Sequence, residues 1–338
     1  MLSNKCFIIA ELSANHGGSL EIAKETVRAA KRAGADAIKL QTYTADTITL
    51  DVKTDLFKIT QGTAWDGQYL HDLYKNASLP WEWHKPLYDV AKEEGLVCFS
   101  SPFDKSAVDF LEVLNTPIYK VASFEITDIP LIKYIASKQK PIIISTGIAT
   151  IEDIELAIAT CKEAGNTDIT ILKCTSAYPA APEDANLLTI PDIVKRFGVK
   201  SGLSDHTMGA EAPMVAVALG ATVIEKHFIL DKSIGGADAH FSMDENEFKQ
   251  MVDAVRLTER LIGYVDYEMT DKKKKSREFS RSLFITEDVK VGDVISEDNI
   301  RSVRPSYGLH PKYYNEILGK NFKEPYKKGT PLSWDVIL

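Results

Sequence analysis

The chain of 338 residues holds only four cysteines, Cys6, Cys98, Cys161 and Cys174. None stands in CxxC spacing and three lie in or beside apolar runs. This argues against a disulfide framework or a zinc-thiolate site, and for reduced, buried thiols in a cytoplasmic protein. Positive charge is not in excess either: 40 Lys and Arg against 48 Asp and Glu leave a formal net charge of −8. That disfavours a general nucleic-acid or membrane-surface binder. No apolar run approaches the roughly 20 residues that span a bilayer, and the apolar part of MLSNKCFIIAEL is too short for a signal peptide. No GxGxxG follows the first β-rich run, so the alternative of an open doubly wound sheet lacks its dinucleotide fingerprint. In so acidic a chain, groups that handle anions must be gathered locally, which makes the position of each lysine informative.

Eight short β-rich runs are present, at 7–12, 37–43, 96–101, 118–124, 141–147, 169–175, 199–205 and 222–228. Between most of them lie helical patterns such as EIAKETVRAAKRAG, ending at a glycine suited to a C-cap. Parallel strands need crossover helices, and eight such units in roughly 250 residues predict an α/β protein with a (β/α)8 TIM barrel. Nearly every run begins apolar and ends polar. Glu11, Lys39 with Gln41, Ser100 with Ser101, Lys120 with Ser123, Ser145, Lys173 with Thr175, Ser204 with His206, and Glu225 with His227 all stand at or near strand ends. Carboxyl ends of barrel strands share one face, where this fold builds its active sites. Residues two apart, as in Lys39/Gln41 and Glu225/His227, point to one side of a strand.

The barrel is expected over 1–265. A charged stretch at 266–282, with four lysines from Lys272 to Lys275, reads as a solvated linker or helix face. Residues 283–338 read as a small all-β module, too small to be very stable alone.

Lys39 and Lys120, with Ser123, Ser145 and Ser204, have the chemistry of a phosphate-and-carboxylate receptor, cations giving charge and hydroxyls direction. An ion pair of either lysine with Glu11 or Glu225 is the structural alternative. His206 and His227 end adjacent strands and are candidate ligands for Mn²⁺, Fe²⁺, Co²⁺ or Zn²⁺, with open positions for oxygen ligands. Glu11 is placed for acid–base work or for orienting a water. His16 is equally plausible as a ligand or a turn residue, whereas His71, His84 and His310 have no supporting neighbours. Two other readings are a Schiff-base aldolase using Lys173, if that side chain faces inward, and a non-catalytic sugar-binding scaffold.

The ordered motifs AELSANHGG, KLQTY, SSPFD, YKVASFE, ISTG, KCTSAYP, GLSDHT and EKHF, followed by VRPSYGLHP, resemble the sialic acid (nonulosonic acid) synthase family over nearly the whole chain. The C-terminal part is similar to its antifreeze-like, β-clip SAF module. The resemblance implies condensation of phosphoenolpyruvate with an open-chain N-acyl sugar. It implies a divalent metal, Mn²⁺, Mg²⁺ or Co²⁺, on His206 and His227. Phosphoenolpyruvate is then expected on Lys39, Ser101, Lys120, Ser123, Ser145, Ser176 and Ser204, and catalytic roles on Glu11, Gln41 and Glu225. Sugar contacts are expected from Asn15, Glu125, Tyr178, Asp238, Phe241 and Arg304. Arg304 would act in trans within a domain-swapped homodimer. ELSANH, and GGADAHF with Ala239, His240 and Phe241 after Asp238, depart from the N-acetylneuraminate pattern and resemble the pseudaminic acid synthase branch, with legionaminate-type and N-acetylneuraminate-type substrates as alternatives. An apolar Phe241 suits a methyl where another sugar carries a hydroxyl, since a buried hydroxyl without a partner is penalised by about 1–3 kcal/mol.

Overall fold

The structure, a computed structural model, describes residues 5–60, 62 and 65–338. The first four residues of the opening stretch, judged above as too weak for a signal peptide, lie outside that set. The chain divides into two compact units, Met1–Gly263 and Tyr264–Leu338.

In the first unit eight parallel strands close on themselves in sequence order. They are β1 Phe7–Glu11, β2 Ala37–Thr42, β3 Val97–Pro102, β4 Tyr119–Val121, β5 Ile142–Ser145, β6 Ile169–Cys174, β7 Lys200–Asp205 and β8 Val223–His227. Helices such as Leu20–Arg32 and Ile151–Glu163 make the crossovers, their free N-terminal amides capped by Ser19 and Thr150. Outward-facing strand residues pack under these helices in two apolar clusters, one around Ile8, Ile38 and Phe248, the other around Tyr119, Ile144 and Ile158. Strands buried on both faces read as continuous apolar runs, which is how they read here.

The inward-facing residues lie in layers, alternate strands contributing to each. The order follows from strand tilt and from the registers Glu11↔Lys39, Gln41↔Ser101, Leu172↔Gly202 and Ser204↔Glu225. The floor is Ile9, Phe99 and Ile143, with Gly202 as its fourth member. A Cβ on Gly202 would lie 2.4 Å from the Val223 carbonyl oxygen and 2.7 Å from Leu172 Cδ2. The missing side chain is the space into which Leu172 settles. Above the floor come Lys39, Lys120, Leu172 and Glu225, then Glu11, Ser101, Ser145 and Ser204, and at the rim Gln41, Cys174 and His227. The barrel is therefore apolar below and polar above, with its buried charges at the carboxyl ends.

Lys173 is the exception to the strand-end reading. It shares the outward parity of Ile169 and Ile171, which pack under the helices. Its amino group donates to Cys174 O at 2.9 Å and to Thr175 Oγ1 at 3.1 Å. The inward orientation that the Schiff-base alternative required is thereby overturned, and that alternative loses its nucleophile.

In the second unit the lysine run lies on an exposed helix, Asp271–Arg277. Strands β9 Ser282–Ile285 and β10 Ile300–Val303 pair antiparallel, extended by single bridges such as Val289↔Tyr326 and Phe322↔Ile337. Leu283, Ile285, Ile300, Phe322 and Leu332 form its core. That core also takes in Ile317 from the short helix Tyr314–Ile317, so the module is β-rich rather than purely β. Among the described residues no helix is long and apolar enough to cross a membrane.

Candidate active site

The deepest polar layer is an ion cluster. Lys39 Nζ lies 3.0 Å from Glu11 Oε2 and 3.0 Å from Glu225 Oε1. Lys120 Nζ is 3.8 Å from the same Glu225 oxygen and donates to Ser145 Oγ at 2.7 Å. Ser204 Oγ donates to Glu225 Oε1 at 3.1 Å. Gln41 Nε2 donates to Glu11 Oε1 at 3.2 Å and to Ser13 Oγ at 3.1 Å. The structural alternative, ion pairing with the glutamates, thus holds for Lys39 and for Lys120. It does not remove the receptor reading, because two lysines and two glutamates stand here beside hydroxyls that are not all satisfied.

Burial acts differently on the two carboxylates. Glu11 is pushed up to about 7, by burial first and with Glu225's charge adding to it, against the pull of Lys39. For Glu225 burial pushes up as well, but Lys120 and Lys39 together outweigh it and hold the group low. Burial, joined by Lys39's charge, brings Lys120 down to about 8. One carboxyl is thus near half-protonated at neutral pH and the other is a fixed anion, the separation that acid–base pairs require.

Unsatisfied polar atoms mark where a ligand fits. Buried without a hydrogen-bond partner are Ser101 Oγ, Ser176 Oγ, Glu125 Oε2, Glu225 Oε2 and His227 Nδ1. Such atoms are expensive to leave open in a native interior unless something binds them. Ser123 and Ser176 crowd against Gly147, where a Cβ would lie 2.0 Å from Ser176 Oγ and 2.8 Å from Ser123 Oγ. Gly147 N donates to Ser123 Oγ at 3.1 Å. Only a glycine permits this close ring of hydroxyls and amides. Ser123 and Glu125 sit on a 3₁₀ turn directly after β4 rather than on the strand, and burial raises Glu125 to about 7.

At the rim the rings of His206 and His227 have centroids 5.2 Å apart. His206 Nδ1 lies 2.8 Å from the Thr175 carbonyl, so Nδ1 carries the proton and Nε2 keeps its lone pair. His227 Nδ1 is unpartnered, with Asp238 Oδ2 3.6 Å away. Among the described residues no group of three or more His, Cys, Asp or Glu is arranged to hold a metal ion. The donor set is therefore two imidazoles, one of them buried with an open nitrogen. Such a set fits a divalent ion whose remaining positions go to water or substrate oxygens.

Tyr178 stacks on this pair, 4.3 Å from His206, and Phe241 lies 4.8 Å from His227 and 5.1 Å from Tyr178. Phe241 is 2 % exposed, so its ring is an apolar wall behind the imidazoles. Asn15 donates to Phe228 O at 3.0 Å and to Ser242 Oγ at 2.8 Å, bracing two loops and leaving only Oδ1 open. Asp238 Oδ2 accepts from Ala14 N at 3.4 Å. Arg304 follows β10, is exposed, and makes no ion pair with a described residue. His16 is a turn residue, its Nδ1 accepting from Gly18 N at 3.2 Å. His71 and His84 have local partners, Asp46 at 3.0 Å and Thr42 at 2.8 Å.

Three groups escaped the sequence reading. Cys174 faces inward at the rim, its sulfur 4.0 Å from His206 Nδ1. Burial alone would raise this thiol, but the imidazole contact brings it down to about 7. Its place two residues beyond Leu172 was the available signal. Trp65, from the long segment after β2, reaches Tyr178 at 6.2 Å between ring centroids. Lys226, between Glu225 and His227, is 1 % exposed and bonded to Asp205.

Comparison with known proteins identifies the family. Residues 26–267 match the NeuB family and residues 280–338 the SAF domain. Pseudaminic acid synthase of Campylobacter jejuni is 51 % identical over 328 residues, covering 97 % of this chain and 95 % of that protein. Pseudaminic acid synthase of Helicobacter pylori is 50 % identical over 331 residues, covering 98 % and 97 %. The crystal structure of N-acetylneuraminic acid (sialic acid) synthetase from Leptospira borgpetersenii, in complex with citrate, superposes with a TM-score of 0.71. It is 29 % identical and covers 81 % of this chain and 90 % of that one. With residues 26–267 and the SAF module both matched, the chain belongs to the NeuB family.

Proposed function

We infer that this chain makes pseudaminic acid, condensing phosphoenolpyruvate with 2,4-diacetamido-2,4,6-trideoxy-β-L-altrose and water and releasing phosphate. The observation that carries the inference is identity of 51 % and 50 % to two pseudaminic acid synthases over nearly the whole chain. Synthases of this family are generally metal-dependent. His206 and His227 would hold the ion, which when bound polarises the sugar's aldehyde oxygen.

The residues supply the rest. Lys39 and Lys120 receive the phosphate and carboxylate of phosphoenolpyruvate, with Ser101, Ser123, Ser145, Ser176 and Ser204 giving directional hydrogen bonds. The enol carbon attacks the aldehyde carbon, leaving a cationic carbon beside the phosphate. Glu11, held by Gln41 and Lys39, takes a proton from the water that adds there and passes one on to the former aldehyde oxygen, the water's second proton leaving with the phosphate. The fixed anion of Glu225 stabilises that cationic carbon. The tetrahedral intermediate then expels phosphate by C–O cleavage, and the lysines stabilise the leaving group. Asn15 Oδ1, Glu125, Tyr178 and Asp238 contact the sugar around the apolar wall of Phe241. Arg304 reaches the sugar in a partner barrel of a domain-swapped dimer; its exposed guanidinium, without an ion pair among the described residues, supports that role. The compartment is the cytoplasm.

The test is phosphate release after EDTA stripping and Mn²⁺ addition, with the altrose and N-acetylmannosamine side by side. Release with the altrose is expected to exceed that with N-acetylmannosamine by about 10²-fold. Equal or reversed rates would replace the sugar assignment, and turnover without metal would remove the metal. Arg304→Ala is expected to lower kcat/KM for the sugar about 10–100-fold, the loss of one charge-assisted hydrogen bond, while the KM for phosphoenolpyruvate holds. Equal weakening of both substrates would overturn its role.

A further inference from the structure

Behind the two histidines, on the outer side of the barrel wall, lies a second charged pair that the proposed chemistry does not use. Asp205 and Lys226 are direct register partners across β7 and β8, and their side chains are 2 % and 1 % exposed. Each stands immediately before one histidine, Asp205 before His206 and Lys226 before His227. Lys226 Nζ donates to Asp205 Oδ2 and also to the Thr207 carbonyl. The second Asp205 oxygen accepts from Thr207 N at 2.9 Å and Thr207 Oγ1 at 2.8 Å. The residues on both sides of His206 are therefore tied to the residue before His227.

The remaining backbone of both histidines is also fixed. His206 O accepts from Ala180 N at 2.9 Å, and His227 O accepts from Met243 N at 2.9 Å. The β7–β8 ladder holds the strands together up to its last pair, Asp205 and Lys226; beyond that pair the two strand ends are joined by the Lys226 bonds to Asp205 Oδ2 and to the Thr207 carbonyl. A buried ion pair is a poor way to gain stability, because well-packed apolar side chains of the same volume often do as well or better. What it does provide is geometry: a directional contact with one register and one length.

We propose that Asp205, Lys226 and Thr207 are positioning residues that set the spacing of His206 and His227, and through it the affinity of the site for a divalent ion. The proposal rests on the reading of those histidines as metal ligands. Residues just behind a metal's ligands typically change affinity 10–100-fold when replaced.

The test is Mn²⁺ titration of the EDTA-stripped full chain without substrates, read by electron paramagnetic resonance of the free ion. Phosphoenolpyruvate affinity without metal, and Tm, are measured on the same samples. Asp205→Leu/Lys226→Met, which removes both charges together, is expected to weaken Mn²⁺ binding about 10–100-fold, leaving phosphoenolpyruvate affinity within about twofold and Tm within a few degrees. Wild-type Mn²⁺ affinity in the folded double variant would overturn the proposal, as would parallel loss of Mn²⁺ and phosphoenolpyruvate binding. Should that variant fail to fold, Thr207→Val decides, since it keeps the ion pair and the volume but removes one hydrogen bond to Asp205. It is expected to weaken Mn²⁺ binding about threefold or more, and unchanged affinity would overturn the proposal. His206→Ala is the control: if it binds Mn²⁺ as the wild type does, the ligand assignment has failed rather than the positioning role.

Discussion

His206→Ala and His227→Ala are each expected to lower metal-dependent phosphate release by at least about 10³-fold, the equivalent of several kcal/mol of charge stabilisation at the carbonyl oxygen. Affinity for phosphoenolpyruvate, measured without metal, should be nearly unchanged. The reason is spatial: the lysines lie in the deepest polar layer and His227 at the rim, so truncating the ring removes nothing from the anion receptor. Mn²⁺ affinity and turnover both at wild-type level in either variant would end the metal assignment. Loss of phosphoenolpyruvate binding along with turnover would show that the layers are not independent.

The second large effect belongs to Glu11. Glu11→Gln is expected to lower kcat about 10²–10⁴-fold, the usual worth of a positioned acid–base group. In the wild type kcat/KM for phosphoenolpyruvate should rise through about pH 7, where Glu11 gives up its proton, and this limb should vanish in the variant. A limb that persists in Glu11→Gln would assign the titration to another group.

Stability should move the other way. The folded state raises Glu11 from its ordinary 4.5 to about 7, so the fold favours the protonated form. That contribution is full below 4.5 and is lost as pH rises through 7. Glu11→Gln should therefore raise Tm at pH 8 relative to the wild type and change it little at pH 4. Glu225, held low, contributes with the opposite sign: its share is present above 4.5 and is lost as pH falls.

Much of the placement of this site was legible in the sequence. Strand ends could be read because a barrel strand is apolar where it crosses the core and polar where it leaves it. Glu11, Lys39, Gln41, Glu225 and His227 all stand where that rule puts them. Facing direction was less legible. In ITILKCT both parities are apolar, since both faces are buried, and nothing in the run itself separates Lys173 from Cys174. Only the register shows that the cysteine faces the cavity and the lysine the helices. Ser123 was read as a strand-end residue, whereas a 3₁₀ turn after β4 presents it. The Asp205–Lys226 bridge was out of reach, because two residues 21 apart in sequence meet only once the pairing of β7 and β8 is known. Trp65 was hidden likewise, its partner Tyr178 lying beyond four strands of the barrel.

The apolar floor of Ile9, Phe99, Ile143 and Gly202 has a consequence for traffic. A barrel sealed at that level has one entrance, and everything that enters or leaves must queue there. On the proposed function, with the lysines that would receive phosphoenolpyruvate directly above the floor and the histidines at the rim, phosphoenolpyruvate would be seated before the sugar, which would then close the way out behind it. After reaction the order reverses: the nine-carbon acid spans the neck of the vessel, and phosphate, lying deepest, departs last. Kinetics should then be ordered rather than random, with inorganic phosphate competing against phosphoenolpyruvate and not against the sugar.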